Sequence, residues 1–244
     1  MKKYFYDLHI HSCLSPCGDD DSTPASIAGM GAVTKLDVMA LTDHNTARNC
    51  PAFFEACRFY GIVPIAGMEL TTSEDIHTVC LFRNLEEAMS FNDYIDTCRI
   101  KIKNKTEIFG NQLIMNSNDE ITGTDEYLLP PATSVSIEEI SSIVKKYSGI
   151  CYPAHIDRES NGIIAVLGTF PEHLDFKAAE MRDKNKLDEY KKKYPALDKK
   201  QFVFSSDAHH LWDINEAVNC FELECEEDEQ SVIDAIFNKL EQVI

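Results

Sequence analysis

Two histidines, His9 and His11, directly follow the aromatic and apolar run Tyr4-Phe-Tyr-Asp-Leu8. That run predicts a short buried strand entering the core near the N-terminus. Alternate residues of an extended segment point to one side, so both imidazoles face the same way. Ring nitrogens placed like this can meet one divalent cation at about 2.0–2.1 Å, the distance zinc takes. Polar groups withdrawn from water must find partners, because leaving them bare is costly. By itself such a pair is often two unrelated strand-end histidines, and the metal reading depends on further ligands elsewhere in the chain.

The same arrangement recurs along the chain. Asp37–Leu41 reads as a strand followed by Thr42-Asp43-His44-Asn45, and Ile62–Ala66 as one followed by Gly67-Met68-Glu69. Ile76–Phe82 carries His77, Ile150–Ala154 precedes His155, and Gln201–Phe204 precedes Ser205-Ser206-Asp207-Ala208-His209-His210. A loop by its Pro16 and Gly18 holds Asp19, Asp20 and Asp21, one of which is a candidate hard oxygen ligand. Helices are expected from Thr23-Pro24, over Pro51–Tyr60 and Leu85–Ile102, from a Ser136–Glu139 capping box to Gly149, and over Ser231–Val243. Lys177–Met181 suggests a further short strand, and Cys220–Cys225 alternates like an edge strand. Strand–helix alternation predicts a parallel sheet. Polar residues at successive strand C-terminal ends are the arrangement of barrel enzymes. Lys103–Pro131 is weakly patterned, with one short strand candidate in Phe109–Met115, and reads as an insertion or cap.

The 244 residues suit one large domain, taken as 1–244 with the insertion at 103–131; barrels commonly run to about 200–250 residues. No apolar run of about 18 residues suggests a membrane span, and the N-terminus lacks the apolar stretch of a signal peptide. Nine scattered cysteines fit buried thiols in a reducing cytoplasm, with Cys13 and Cys17 read as structural. A net charge of −18 speaks against long nucleic acids, whose binders need a basic face. An anionic substrate would instead need cations bound in the site.

Six of the eight histidines stand at strand ends, together with carboxylates. Nitrogen and oxygen ligands without thiolate favour zinc, manganese or iron. Nine candidate ligands exceed what one or two ions need, so three ions fit better within an expected two to three divalent metal ions.

These pieces resemble the polymerase and histidinol phosphatase (PHP) family of metal-dependent phosphoesterases. The matching segments are Asp7-Leu-His-Ile-His-Ser12, Leu41-Thr-Asp-His-Asn45, Gly67-Met-Glu69, His77 before an apolar strand, Pro153-Ala-His155 and Ser206-Asp-Ala-His209. The resemblance implies a distorted TIM-like (β/α)7 barrel, an α/β fold with its metals at the C-terminal mouth. It assigns metal-ligand roles to His9, His11, His44, Glu69, His77, His155, Asp207 and His209. The sequence departs from the family where Ser-Asp-Gly is usual, since Ser15 is followed by Pro16-Cys17-Gly18 and the aspartates. Counting back from Thr23-Pro24 puts Asp19 first as that ligand and Asp20 second. Ile156 stands where many members carry proline, and Asp43 is expected to brace a ligand histidine.

The resemblance further implies hydrolysis of a small phosphomonoester, histidinol-phosphate-like or nucleotide-like, by metal-activated hydroxide. The alternatives are a nuclease or nucleotide phosphoesterase on short oligonucleotides, and a non-catalytic, metal-stapled interaction module. The expected partner is a small phosphorylated metabolite or nucleotide, with no long nucleic acid and no membrane. Arg158, three residues beyond His155, is a candidate phosphate clamp. His210, beside His209, is the candidate proton donor to the leaving oxygen.

Overall fold

In the computed structural model, which describes residues 1–242, the N-terminal strand is β1 (Lys2–Asp7). β2 (Val38–Leu41) and β3 (Val63–Thr71) lie parallel beside it, connected by α1 (Pro24–Thr34) and α2 (Cys50–Tyr60). α1 begins where Thr23 Oγ1 accepts the Ser26 N–H at 3.1 Å. Pro24 takes the first helical position, where its missing N–H costs nothing.

Beyond β3 the expectation of a parallel sheet fails. β4 (His77–Phe82) runs antiparallel to β3, and β7 (Gly149–Pro153) antiparallel to β4. Only residues 72–76 separate β3 from β4, a turn closed by Thr72 N–H donating to Ile76 O at 2.9 Å. A parallel return needs about a dozen residues or more, so the strand must reverse. His77 therefore stands at the N-terminal end of its strand and still reaches the same mouth as the C-terminal ends of β3 and β7.

The main sheet has the order β10-β1-β2-β3-β4-β7, with β10 (Cys220–Leu223) antiparallel at the edge. β8 (Ala178–Glu180) and β9 (Gln201–Val203) form a separate parallel pair. They fill the open side of the curled half-barrel. Ile156 N–H, past β7, donates to Glu180 O at 2.9 Å, and His11 N–H, past β1, donates to Ala208 O at 2.9 Å.

Several local expectations change. α3 (Leu85–Cys98) stops before Ile102. The inserted segment holds α4 (Thr106–Phe109) and a hairpin of β5 (Leu113–Met115) with β6 (Ile121–Thr124). β6 is exposed along most of its length, so it carries no apolar alternation to reveal it. Ser136 Oγ donates to the Glu139 carboxylate at 2.7 Å instead of capping a backbone N–H, and α5 (Ile140–Lys145) starts later than expected. The left-handed residue after α5 is Ser148, and Gly149 opens β7, where a Cβ would lie 2.8 Å from Leu81 O. α6 (Ile163–Leu167) and α7 (Leu187–Lys193) are short. The closing helix α8 (Glu229–Glu241) is capped by Asp228, which accepts the Ser231 N–H at 3.0 Å. Its expected last residue, Val243, lies outside the described residues.

Alternation along the strands divides the core. Met39, Leu41, Met68 and Phe82 pack outward among helices with Phe53 and Phe91. Tyr4, Tyr6, Val38, Ile65 and Leu81 face the inside of the curl, where Val232, Ile233, Ile236, Phe237 and Leu240 of α8 meet them. Each such side chain contributes about 1.5–3 kcal/mol when buried. Arg83, just past β4, holds α8 by donating to Asp234 at 2.8 Å and Glu241 at 3.2 Å. α8 thus closes the end of the curl opposite the histidines.

Gly67 shows how closely the strands approach beneath the site. A Cβ there would lie 2.9 Å from Cys80 O and 2.8 Å from Thr42 Cγ2. Gly67→Ala is expected to lower stability by about 1–3 kcal/mol through overpacking. Denaturant melts of the two proteins check this; an unchanged midpoint would mean that β3 and β4 part there without cost.

Candidate metal centre

Glu69, near the end of β3, is the hub of the mouth. Its backbone N–H reaches Thr42 O and Asp43 O, both at 3.2 Å, which aims its side chain across the strand ends. Five imidazoles surround its carboxylate. Nδ1 of His77 lies 2.8 Å from Oε1, with Nε2 of His155 at 3.1 Å and Nε2 of His9 at 3.3 Å. On the other oxygen, Nδ1 of His44 lies at 3.0 Å and Nε2 of His11 at 3.3 Å. All six residues are buried.

Three groups of side chains that could hold a metal ion share members. They are His9, His11, Glu69 and Asp207; His11, His44 and His209; and His44, Glu69 and His77, each with its atoms within 4.8 Å of one another. His155 joins through Glu69 Oε1. Asp19 is in none of them. Its carboxylate lies 3.4 Å from Nδ1 of His210, while its N–H donates to His209 O at 3.0 Å. Asp20 accepts from Asn111 at 2.7 Å.

The hydrogen bonds around the cluster select tautomers. His9 Nδ1 donates to Glu180 Oε1 at 2.9 Å. His11 Nδ1 donates to Ser15 Oγ at 3.0 Å, and Ser15 Oγ donates in turn to Asp43 Oδ1 at 2.7 Å. Both Nε2 atoms are thereby left facing inward, 3.2 Å apart. Fixing a ligand histidine through its other nitrogen is the usual means of orienting it. Asp43 also accepts the backbone N–H and the hydroxyl of Ser12, both at 2.7 Å, so it braces the His9–Ser12 turn. Asp7, wholly buried, accepts N–H groups of Ser206 at 3.0 Å and Asn215 at 3.1 Å and so ties the Asp207 loop to β1. Burial pushes the Asp7 carboxyl up to about 6.

Glu180 is the residue that the sequence reading missed. It is fully buried at the end of β8, and beyond its bond to His9 it accepts the His155 backbone N–H at 3.1 Å. That contact supports His155 at φ 29, a conformation costly for a non-glycine residue. The available signal was a carboxylate closing the small apolar run Ala178-Ala179, the strand-end pattern already seen for the other ligands.

Charge in the cluster is tightly coupled to burial. Burial would raise the Glu69 carboxyl, but His77, His9 and His44 hold it well below the usual carboxylate range. Asp207 is likewise held down, by His9 and His11, against its burial. Burial would lower His11 and His44, yet the carboxylates beside them, Asp207 and Glu69 for His11 and Glu69 for His44, carry each up to about 9. His209 goes the other way, down to about 3, through burial and the neighbouring His11. The buried carboxylates demand positive charge, which protons supply in the protein alone and metal ions would supply in their place.

The residues fit such ions. His44 Nδ1 and Glu69 Oε2 are only 3.0 Å apart but make no hydrogen bond, and Asp207 Oδ1 is also buried without a hydrogen-bond partner. Ligands bound tetrahedrally at about 2.0–2.1 Å stand roughly 3.3 Å apart, which is the distance of the His9 and His11 Nε2 atoms from the Glu69 oxygens, while His44, His77 and His155 stand closer, at 3.0, 2.8 and 3.1 Å.

Of the two proposed catalytic residues, Arg158 adjoins this cluster, donating from Nη1 to Asp207 Oδ2 at 3.1 Å with its side chain 39% exposed. His210 stacks on Trp212 with ring centroids 4.7 Å apart and faces Asp19 at the rim.

Removing the Glu180 brace should be felt at the metals. Glu180→Ala is expected to weaken manganese or zinc binding about 10–100-fold, and Glu180→Gln, which keeps an acceptor, to weaken it less. Calorimetric metal titration reads both; wild-type affinity in the alanine variant would show that His9 is held by its other neighbours.

Residues 7–195 match the PHP domain family. No curated protein matches the chain. Among solved structures, the lesion-specific endonuclease Q of Pyrococcus furiosus is similar at a TM-score of 0.66 and 16% identity, over 97% of this chain and 56% of that one. A protein assigned as a metal-dependent phosphoesterase from Bifidobacterium adolescentis is similar at 0.58 and 16%, over 96% of both chains. Endonuclease Q in complex with a 27-mer duplex bearing an abasic lesion is similar at 0.60 and 14%. This chain spans little more than half of the endonuclease chains, at 56% and 57%. The match over most of its length shows that the chain belongs to the PHP domain family.

Proposed function

We propose that this phosphoester hydrolase releases phosphate from a small phosphomonoester, with His9, His11, His44, Glu69, His77, His155, Asp207 and His209 holding two to three ions of zinc, manganese or iron. The observation that carries the reading is a cleft of about 580 Å³ that opens on His44, Glu69, His77 and His209 and has Arg158 in its wall. That volume takes a metabolite-sized molecule. One guanidinium suits one phosphoryl group, whereas grooves for nucleic acid are lined by many cations. Here the charged groups of the lining outside the candidate ligands are Arg158 and Asp75.

Divalent cations in the cluster would supply Lewis acidity toward water and the phosphoryl oxygens. The chain's own part is to place the phosphate. Arg158 uses one N–H on Asp207 and keeps the rest of its fork for phosphate oxygens, in charge-assisted bonds. His210, which stacks on Trp212 with its Nδ1 3.4 Å from Asp19, is the proton donor assigned to the leaving oxygen, although it is not among the residues that line the cleft. Asp19 remains a ligand candidate at the rim, by its place beside the His209 backbone.

A second reading, cleavage of short oligonucleotides, draws on the fold neighbour described with duplex DNA. Assays of the metal-reconstituted protein on p-nitrophenyl phosphate and on a short oligonucleotide decide between them. Release of phosphate from the monoester with the oligonucleotide intact is expected; cleavage of the oligonucleotide alone would sink the first reading.

Two variants test the assigned residues. Arg158→Ala should lower kcat/KM about 10- to 100-fold while metal content stays at the wild-type level; unchanged kinetics would return Arg158 to the surface. His210→Ala should slow alkyl phosphates far more than aryl phosphates, whose better leaving groups need little protonation. Equal losses on both classes would rule His210 out as the acid.

A further inference from the structure

The cleft has a wall that the phosphate chemistry does not use. Facing the ligands are Ile108, Phe109, Leu128, Pro130 and Pro131, all from the inserted segment. None of these side chains offers a hydrogen bond. Ile108 is 65% exposed and Phe109 45% exposed, side by side in α4. Apolar surface left in water gains free energy when a ligand covers it.

The wall is built rigidly. Asp125 in the insertion accepts from Arg48 at 2.9 Å and from Arg99 at 2.8 and 3.2 Å. Gln112 donates to Asp125 O at 2.8 Å and Tyr127 O at 2.9 Å. Asn45, the residue after His44, donates to Leu129 O at 2.7 Å and Pro131 O at 3.0 Å, so the wall is fastened next to a metal ligand. Gly110, at φ 90, lets the end of α4 pack closely on the Pro16 loop, where a Cβ would lie 2.6 Å from Pro16 O. A preformed face of this kind recognises its ligand without an ordering cost. The cleft's lining also holds Arg158, Asn161 and Asp75.

Resting on the phosphomonoester reading, we infer that the alcohol part of the substrate carries an aromatic or other apolar ring, which lies against Ile108 and Phe109 with any polar edge toward Asn161 and Asp75. A polyhydroxylated alcohol fits poorly, because its hydroxyls would be buried against the wall unpaired.

Phosphonates test this without turnover. Binding of benzylphosphonate and of 2,3-dihydroxypropylphosphonate to the full, manganese-loaded chain is measured by calorimetry. Benzylphosphonate is expected to bind at least about tenfold more tightly, and Phe109→Ala or Ile108→Ala to reduce that ratio to about threefold or less. Circular dichroism and metal content establish that each variant is folded and loaded. Equal affinity for the two probes, no measurable benzylphosphonate binding, or a ratio that survives in both variants overturns the inference. Selective binding without turnover of any phosphomonoester would instead defeat the proposed activity and leave the wall's role standing.

Discussion

The buried Glu69 carboxylate with imidazoles on every side is the constraint from which the rest of the molecule follows. An anion withdrawn from water in this way is stable only with positive charge against it. The residues able to provide or hold that charge come from five different strand ends and the Asp207 loop. In a flat sheet, β1 and β7 would stand roughly 19 Å apart, four strand spacings of about 4.7–4.9 Å. In the protein the rings of His9 and His155 stack with centroids 5.9 Å apart. The curl of the sheet does this. The apolar packing of α8 inside the curl therefore serves the site at the opposite end.

Around the hub, short hydrogen bonds determine which ring nitrogen of His9 and of His11 faces inward. Glu180 and Ser15 take the outer nitrogens of His9 and His11, and Asp43 holds Ser15. The backbone bends sharply to present the groups, with positive φ at Asn45, His155 and Asp207. Such residues cost of order 1–3 kcal/mol each. The cost is offset locally, since Asn45 bonds the insertion, Glu180 holds the His155 N–H, and Asp7 anchors the loop that carries Asp207.

The insertion adds the part of the site that the strands do not build. Its buried grip of Asp125 between two arginines is an ion pair completed by further hydrogen bonds, the condition under which buried charges hold together. Through it an otherwise irregular stretch becomes a fixed side of the cleft. The net charge of −18 leaves the single guanidinium in that cleft, together with bound cations, to attract an anionic substrate.

Much of this was legible in the amino acids. Histidine and acidic residues closing apolar runs are expensive unless they converge, so the strands and the residues gathered at the mouth could be read together, and their order resembled one family. Asp43 could be read as a brace because it adjoins His44. What could not be read depended on partners distant in sequence. The reversal of β4 follows from the short turn before His77, and the apolar pattern of a strand buried on both faces carries no direction. Glu180 looked like any carboxylate in a short run until folding set it against His9, 171 residues away. Asp19, His210 and the hairpin at 113–124 lie on exposed or irregular backbone, where no periodicity marks geometry. The sequence by itself determined the chemistry at the strand ends, because burial punishes unpaired polar groups wherever they occur. Which of those groups touch, and in which tautomer, was decided only by the curl of the sheet, because contact depends on distances that one-dimensional spacing does not contain.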